Sequence, residues 1–253
     1  MKNVVRAEML KYRRASSVKL LLILPLVCSL LSAALTWDYF TIDNYNWWYV
    51  TLYPACVALV CAAIADKDKR LGQRALFTLP CDMGRVWDAK IITGMVFSGL
   101  SIGVLCLLTL AGTFMMHGMM GVTFAVEVPV ARQLAGCAVM WLASLWQVPV
   151  CLWLAQKIGR MPTVVIHVVV VSFALLVALK PWYMMVPGAI VPRAMCALLG
   201  VLPNGLPAVA GSVSYAPELM QMSNVGIGVA AALLWLALSW VLSRKWFQRQ
   251  VEK

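Results

Sequence analysis

Long apolar runs separated by short polar breaks repeat along the whole 253-residue chain. A run of about 20 apolar residues is long enough to cross the hydrocarbon core of a bilayer as an α-helix. Six such runs predict six membrane-spanning helices, at about 18–37, 48–65, 91–116, 134–156, 163–179 and 225–242. We therefore predict an all-α integral membrane protein whose residues 1–253 form a single embedded domain.

The first 16 residues are predicted to form an interfacial helix. They contain five Lys and Arg, and their apolar residues fall near one face of a 3.6-period helix, as in helices that lie on a membrane surface. The following run, 18–37, is longer than a signal-peptide core and has no Ala-x-Ala before Trp37. We expect this run to be retained as the first span.

A polar stretch, Asp38–Asn46, separates the first two apolar runs and is predicted to be a short loop. Four aromatic residues follow it, at the position where a membrane-interface belt of Trp and Tyr is expected. They are Trp47, Trp48, Tyr49 and Tyr53.

The segment between Lys180 and Ser223 is apolar but broken by six prolines, which forbid one long helix. Its apolar piece Ala194–Val201 is too short to cross a bilayer. We expect short re-entrant helices that enter the outer leaflet and pack against the protein, which satisfies their backbone.

The net charge of +11 is interpreted as a topology signal. With the N-terminus in the cytoplasm, only Arg132, Lys180 and Arg193 of the 21 Lys and Arg lie outside. Cytoplasmic loops carry the excess of basic residues, so we expect both termini in the cytoplasm. A composition of 62% hydrophobic and 12% charged residues excludes an ordinary soluble domain. Nucleic acid is not needed to explain the charge, and we expect no nucleic-acid partner.

The sequence Gly99–Gly103 matches GxSxG, which in hydrolases surrounds a nucleophilic serine on a strand–turn–helix elbow. Here it lies within a predicted span. The small residues at 94, 98, 99 and 103 have the spacing by which membrane helices approach closely. We favour packing over catalysis and expect no catalytic residue, with an intramembrane hydrolase using Ser101 as an alternative.

Metal chemistry has one candidate cluster, Met115–Met120 with His117 at its centre, since thioethers and imidazole can hold Cu(I). Methionine is also a flexible apolar filler, and the eight cysteines include no CxxC pair. His167 is expected to be a packed, hydrogen-bonded residue facing other helices. We therefore expect neither a metal nor a cofactor.

No GxxxxGK[ST] motif occurs in the chain, so it lacks a P-loop of its own. Asp66–Lys90 is the longest charged stretch and contains six basic residues. The positive-inside rule assigns this stretch to the cytoplasm. It is the one substantial cytoplasmic feature that the sequence predicts.

Four blocks of sequence carry a resemblance to a known family. They are Tyr45–Tyr49 (YNWWY), Arg74–Pro80 (RALFTLP), Val86–Lys90 (VWDAK) and Leu202–Pro207 (LPNGLP). Through them the chain resembles the permease subunits of lantibiotic-immunity ABC transporters of the MutE/EpiE or MutG type, within the ABC-2 superfamily. The short basic N-terminus and the six spans extend the likeness over the whole length.

The resemblance implies a non-enzymatic subunit of the bacterial cell membrane. Such a subunit pairs with a second, homologous six-span permease and with a separate ATPase subunit that hydrolyses ATP. The assembly expels lantibiotics or other amphipathic cationic antimicrobial peptides from the membrane lipid and so gives immunity or resistance. The resemblance also implies an outer re-entrant segment between spans five and six. Its candidate residues are Arg193, Pro203, Asn204 and Gly205.

The resemblance further makes the loop between spans two and three the element that docks on the ATPase. We predict that residues 71–78 form a short amphipathic coupling helix, because their exposed apolar residues need a covering surface. Its candidate contacts are Leu71, Arg74, Leu76 and Phe77. An interfacial helix resting on headgroups is the alternative for this segment. For the whole chain the alternative is a membrane-embedded sensor or accessory subunit that binds a partner without transport.

Overall fold

The computed structural model describes residues 1–13, 15–69 and 82–250. Its α-helices are α1 Lys2–Leu10, α2 Ser16–Leu35, α3 Phe40–Trp47, α4 Tyr53–Lys69, α5 Met83–Gly118, α6 Val130–Ser144, α7 Gln147–Ile158, α8 Arg160–Ala178, α9 Ile190–Leu199 and α10 Ser223–Gln248. Within these described ranges no β-strand occurs, and only Val201 and Pro207 form an isolated bridge. The prediction of an all-α protein is confirmed.

Five helical runs of the described residues are long and apolar enough to cross a membrane. They are Ser17–Leu35, Trp37–Lys67, Met83–Gly118, Arg160–Ala178 and Ser223–Gln248. The pair α6 and α7 makes a sixth if it is counted as one bent span. Each of the six apolar runs found in the sequence overlaps one of these elements, so the chain is a multi-pass membrane protein.

The fourth apolar run is not one straight helix, because α6 and α7 meet at an angle of 43°. Pro149 explains the break. It has no backbone N–H, so the carbonyl of Leu145 loses its i+4 helical partner. That carbonyl instead accepts a hydrogen bond from the N–H of Val148, at 3.2 Å. The prediction of one continuous span over 134–156 missed this bend.

The stretch 38–46 is helical, and the prediction of a loop there was wrong. It is taken up largely by α3, which a π-helical turn at Trp48–Leu52 joins to α4. The side-chain amide of Asn44 is fully buried and donates hydrogen bonds to Ser29 Oγ at 3.0 Å and Thr109 Oγ1 at 2.7 Å. Partners on α2 and α5 therefore accept both side-chain N–H groups of Asn44, while its buried Oδ1 has no hydrogen-bond partner among the described residues.

The predicted aromatic belt lies mostly in the protein core. Trp48, Tyr49 and Tyr53 are buried, whereas Trp47 is 42% exposed. The rings of Trp48 and Tyr53 lie 5.8 Å apart and pack on each other. Three of the four aromatic residues thus stabilise contacts between helices and are not placed to anchor the protein at headgroups.

The bundle has two chemically different ends. One end, which we call the basic end, brings together α1, the start of α5 and the end of α10. The opposite end, which we call the far end, contains α9 and the 3-10 turns Tyr183–Met185, Pro187–Ala189 and Pro217–Met220. All ten residues of α9 are buried. The sequence predicted a helix here that is too short to cross a bilayer, and α9 has ten residues. The predicted position of this helix in the outer leaflet stays a prediction.

Candidate coupling site

The first turn of α5 lies at the basic end, directly after residues 70–81. Asp82 caps this helix, because its carboxylate accepts a hydrogen bond from the N–H of Gly84 at 2.8 Å. A Cβ atom at Gly84 would lie 2.6 Å from side-chain atoms of Arg244 and of Gln248. The lack of a side chain at Gly84 therefore lets the end of α10 approach the beginning of α5.

A buried ionic cluster joins α1 to α5. One carboxylate oxygen of Glu8 lies 3.2 Å from the ammonium group of Lys90, and the other lies 2.6 Å from that of Lys11. The hydroxyl of Tyr12 donates a further hydrogen bond to Glu8 at 3.1 Å. The side chain of Lys90 has no solvent exposure and that of Glu8 has 4%. Buried charges need such partners, so this cluster fixes α1 on α5.

A second polar cluster joins α5 to α10. One carboxylate oxygen of Asp88 lies 3.2 Å from Nε of Arg244, and the other accepts a hydrogen bond from the indole N–H of Trp240 at 2.7 Å. The indole N–H of Trp87 donates to the hydroxyl of Ser243 at 3.1 Å. The start of α5 is thus held from both sides, by α1 and by α10.

The four predicted coupling residues lie in the segment 70–81, outside the described residues. They are Leu71, Arg74, Leu76 and Phe77. The two ends of the segment are described, since α4 ends at Lys69 and α5 begins at Met83. Near the first end, the ammonium group of Lys67 donates to the carbonyl of Lys11 and lies 4.7 Å above the ring of Tyr12. The described residue Lys67, before the segment, thus lies beside α1, and the described residue Asp82, after it, lies beside Arg244 of α10, 3.9 Å away.

This geometry can transmit movement. A partner that displaced the segment 70–81 would act directly on the start of α5. Because Glu8 and Asp88 tie that start to α1 and α10, the three helices would move together. No bond in this region needs to break for such a step, and the arrangement requires no covalent chemistry.

A comparison with protein families decides the kind of protein. The family described as ABC-2 family transporter protein matches residues 4–175, more than half of the chain. The chain belongs to this family. No curated protein and no solved structure matches it. The ABC-2 protein is therefore a membrane component of an ABC transporter, a class that works with an ATPase.

At the far end of this ABC-2 protein, Arg193 is buried within α9. Its guanidinium donates to the carbonyl of Ala178 at 3.2 Å and to the carbonyl of Glu218 at 3.4 Å. It also lies 5.1 Å from the ring of Tyr183. Burial raises the pKa of Tyr183, and the charge of Arg193 acts in the opposite direction. Arg193 thus ties the end of α8 to the turn before α10.

The other predicted far-end residues, Pro203, Asn204 and Gly205, form one turn. Asn204 accepts a hydrogen bond from the N–H of Leu206 and donates to the carbonyl of Val213, each at 3.2 Å. Gly205 has a φ of 86°, a left-handed conformation that glycine adopts without strain. A Cβ atom there would lie 2.9 Å from Asn46. The turn thus packs on α3, which follows the first span.

The turn and α9 share one apolar cluster. It contains Cys196 of α9, Leu202 at the start of the turn and Leu219 of the 3-10 turn before α10, all buried. The structure therefore places the predicted far-end residues in one packed unit. Their contacts are structural, with backbone carbonyls as the main partners of Arg193.

The GxSxG motif lies within α5 and its serine is buried. The hydroxyl of Ser101 donates to the carbonyl of Ser98 at 2.7 Å, as serines do inside helices. A Cβ atom at Gly94 would lie 2.6 Å from Val148, and one at Gly99 would lie 3.0 Å from Trp141. At Gly103 such an atom would meet nothing within 4 Å. Neighbouring helices thus approach closely at Gly94 and Gly99. The prediction of a close approach at Gly103 was wrong for this chain.

The two histidines have separate partners. Nδ1 of His117 lies 3.1 Å from the carbonyl of Val122, and Nε2 of His167 lies 3.0 Å from the amide oxygen of Gln147. His167 is buried between helices, as expected for a packed polar residue. Among the residues that the structure describes, no group of three or more His, Cys, Asp or Glu could hold a metal ion.

Sequence reasoning missed the pairing of Glu8 with Lys90. One signal was available, because Glu8 is the only acidic residue before Trp37 and stands among basic ones. The interfacial helix was predicted over 1–16, whereas α1 ends at Leu10 and buries Glu8 against α5. Its placement at the membrane surface stays a prediction.

Proposed function

We propose that this chain is the membrane permease subunit of a multi-subunit ABC transporter that expels lantibiotics or other cationic antimicrobial peptides. In this proposal the transporter lies in a bacterial cell membrane with both termini of the chain in the cytoplasm. A separate ATPase subunit hydrolyses ATP, and a second six-span permease completes the membrane part. The chain itself does no covalent chemistry and converts ATPase movement into movement of its helices.

The observation that carries the proposal is the packing of the described helix ends on either side of the predicted coupling segment. Both ends of this segment adjoin helices that Glu8 and Asp88 hold together at the basic end. An ATPase bound there would act on α1, α5 and α10 at once. The absence of GxxxxGK[ST] from the sequence agrees with ATP hydrolysis on another chain.

The peptide substrate rests on the resemblance of four sequence blocks to those of lantibiotic-immunity permeases. Val86–Lys90 supplies Asp88 and Lys90 to the two polar clusters of the coupling site. Leu202–Pro207 forms the far-end turn, which packs on Asn46 of the block Tyr45–Tyr49. The three blocks that the structure describes therefore lie at positions that hold the bundle together at both ends.

The test is reconstitution of the complete system in a susceptible bacterium. Cells would express this chain together with its proposed ATPase and second permease, and release of a fluorescent lantibiotic from cells into the medium would be followed. We expect release and resistance to require this chain, the second permease and an ATPase able to hydrolyse ATP. The ATPase should also be recovered when this chain is purified.

The matched control is an ATPase variant without catalytic activity, which should assemble but give no release. If this chain instead alters expression of a resistance gene, and peptide stays in the cells, the sensor or accessory alternative replaces the proposal. Resistance that persists without any ATPase would also contradict it.

A further inference from the structure

A cavity of about 440 Å³ lies between α7 and α10. Four tryptophans, Trp146, Trp153, Trp235 and Trp246, contribute to its wall. Leu238 lines it as well and is 49% exposed, so the cavity opens to the outside of the bundle. We call this feature the tryptophan groove. Its volume falls in the range of about 300–1,000 Å³ that is typical of small-molecule sites.

The groove results from the bend between α6 and α7, which begins at the residues just before Trp146. Its two ends are fixed by neighbouring contacts. Toward the far end, the indole N–H of Trp235 donates to the carbonyl of Met184 at 3.2 Å. Toward the basic end, the rings of Trp153 and Trp246 meet edge to face at 6.4 Å. The groove is therefore built into the packing of the bundle.

A positive charge stands at the basic end of the groove. The ammonium group of Lys157 lies 4.6 Å from the ring centre of Trp153 and 5.8 Å from that of Trp246. The side chain is exposed, and within the described part of the chain no carboxylate lies at salt-bridge distance from it. Cation–π contact holds the ammonium over the two rings and leaves N–H donors for an anion.

More basic residues adjoin this point in the chain. Arg160 begins α8 three residues after Lys157, and Lys245 precedes Trp246 on α10. Both are exposed. An apolar groove thus ends at the exposed cation of Lys157, and its ligand should combine an apolar body with an anionic head.

We propose that the tryptophan groove binds an anionic phospholipid, with an acyl chain along the tryptophans and the phosphate at Lys157. A Lys beside a membrane helix attracts acidic lipid headgroups and contributes about 1 kcal/mol near a charged surface. The charge complementarity argues against a cationic peptide as the occupant, because Lys157 would repel its basic residues. The site goes beyond the proposed transport function and does not depend on it.

The headgroup part of the proposal is tested with the full chain purified in nanodiscs of phosphatidylglycerol and phosphatidylcholine. After detergent extraction and gel filtration, native mass spectrometry counts the lipids retained. We expect phosphatidylglycerol to be retained in preference to phosphatidylcholine. Lys157→Gln should lower that preference about tenfold, the change expected for loss of one charge-assisted contact. The matched control, Lys180→Gln, removes an exposed charge at the far end and should leave the preference unchanged.

The acyl-chain part is tested by filling the groove. Ser239 lines it, so Ser239→Trp should displace the retained lipid, whereas Leu234→Trp adds the same ring to a position on α10 that is 73% exposed and does not line the groove. Equal retention of both lipids by the wild-type chain, or an unchanged preference in Lys157→Gln, would overturn the proposal. A second result would also overturn the proposal: a wild-type chain that forms a dimer without retained lipid, and a Ser239→Trp variant that is monomeric. The occupant of the groove would then be a second copy of the chain.

Discussion

The ammonium group of Lys90 lies 3.2 Å from the carboxylate of Glu8, and both side chains are buried where α1 meets α5. A buried ion pair is weak evidence for net stability, because desolvation offsets most of the attraction. It does specify geometry, since removing one charge leaves the other in an unfavourable environment. The pair therefore fixes how the N-terminal helix sits on the helix that follows the predicted coupling segment.

Glu8→Gln should destabilise the protein by about 3 kcal/mol, because it removes a negative charge that lies 3.2 Å from the ammonium group of the buried Lys90. The measurement is the unfolding free energy of the purified chain in detergent. Lys11→Gln is the control: its side chain is 33% exposed, and the loss should stay below about 1 kcal/mol. Equal stability of Glu8→Gln and the wild type would show that the pair does not hold α1 in place.

The orientation is tested by cysteine labelling in intact cells. The seven cysteines among the described residues are buried. With the native cysteines replaced, Gln73→Cys should resist a membrane-impermeant thiol reagent because the basic segment is predicted to be cytoplasmic. Val213→Cys, at a far-end position that is 72% exposed, should be labelled. Labelling at position 73 and none at position 213 would show that the predicted orientation is the wrong way round.

Docking on the ATPase is tested at the segment 70–81. Aromatic and arginine residues dominate interface hot spots, so Phe77→Ala or Arg74→Glu should each cost about 2 kcal/mol of association. That loss weakens a complex about thirtyfold, which co-purification of the ATPase detects. Gln73→Ala in the same segment is the control and should recover the ATPase normally. Normal recovery and full resistance with both variants would favour the alternative of an interfacial helix.

The glycines of α5 provide a matched pair. Gly94→Ala should destabilise the bundle by about 1–3 kcal/mol, because its Cβ atom would overlap Val148. Gly103→Ala meets no neighbour and should raise stability by about 0.5–1 kcal/mol through helix propensity. Unfolding of the two variants in detergent gives the comparison. Equal effects would mean that the helices repack and that the close approach at Gly94 is unimportant.

Ser101→Ala should leave peptide resistance unchanged, because the buried hydroxyl donates to the carbonyl of Ser98 within α5 and faces no substrate path that the structure shows. Resistance is compared at equal membrane levels of the two proteins. A loss greater than about tenfold exceeds what one packing hydroxyl explains and would revive the intramembrane hydrolase.

The apolar runs were enough to predict the helical spans, because a bilayer imposes the length of a spanning helix directly on the sequence. The prediction failed where distant partners decide the structure. Asp43 and Asn44 lie in a polar stretch that reads as a loop, yet both are buried in α3. The hydroxyls that bind Asn44 belong to Ser29 and Thr109, and no local pattern reveals that pairing.

The candidate coupling site also has features that are local in the sequence, which could be predicted, and contacts between distant residues, which could not. Charge alone singled out the stretch Asp66–Lys90 as a cytoplasmic feature, since that signal is local. The clusters that join its flanks to α1 and α10 depend on Glu8 meeting Lys90 and on Asp88 meeting Arg244, which are contacts between distant parts of the chain. The bend at Pro149 was visible in the sequence, because proline removes a helical hydrogen bond at a known position.

The length of α5 has a mechanical consequence. Its 36 residues contain no proline and rise about 54 Å, whereas the hydrocarbon core is about 30 Å thick. The charged residues at its start, Arg85, Asp88 and Lys90, assign most of the excess to the basic end. We therefore expect the first turns of α5 to project beyond the hydrocarbon. Because the helix has no proline, a tilt imposed on those turns would be carried along it to Gly118.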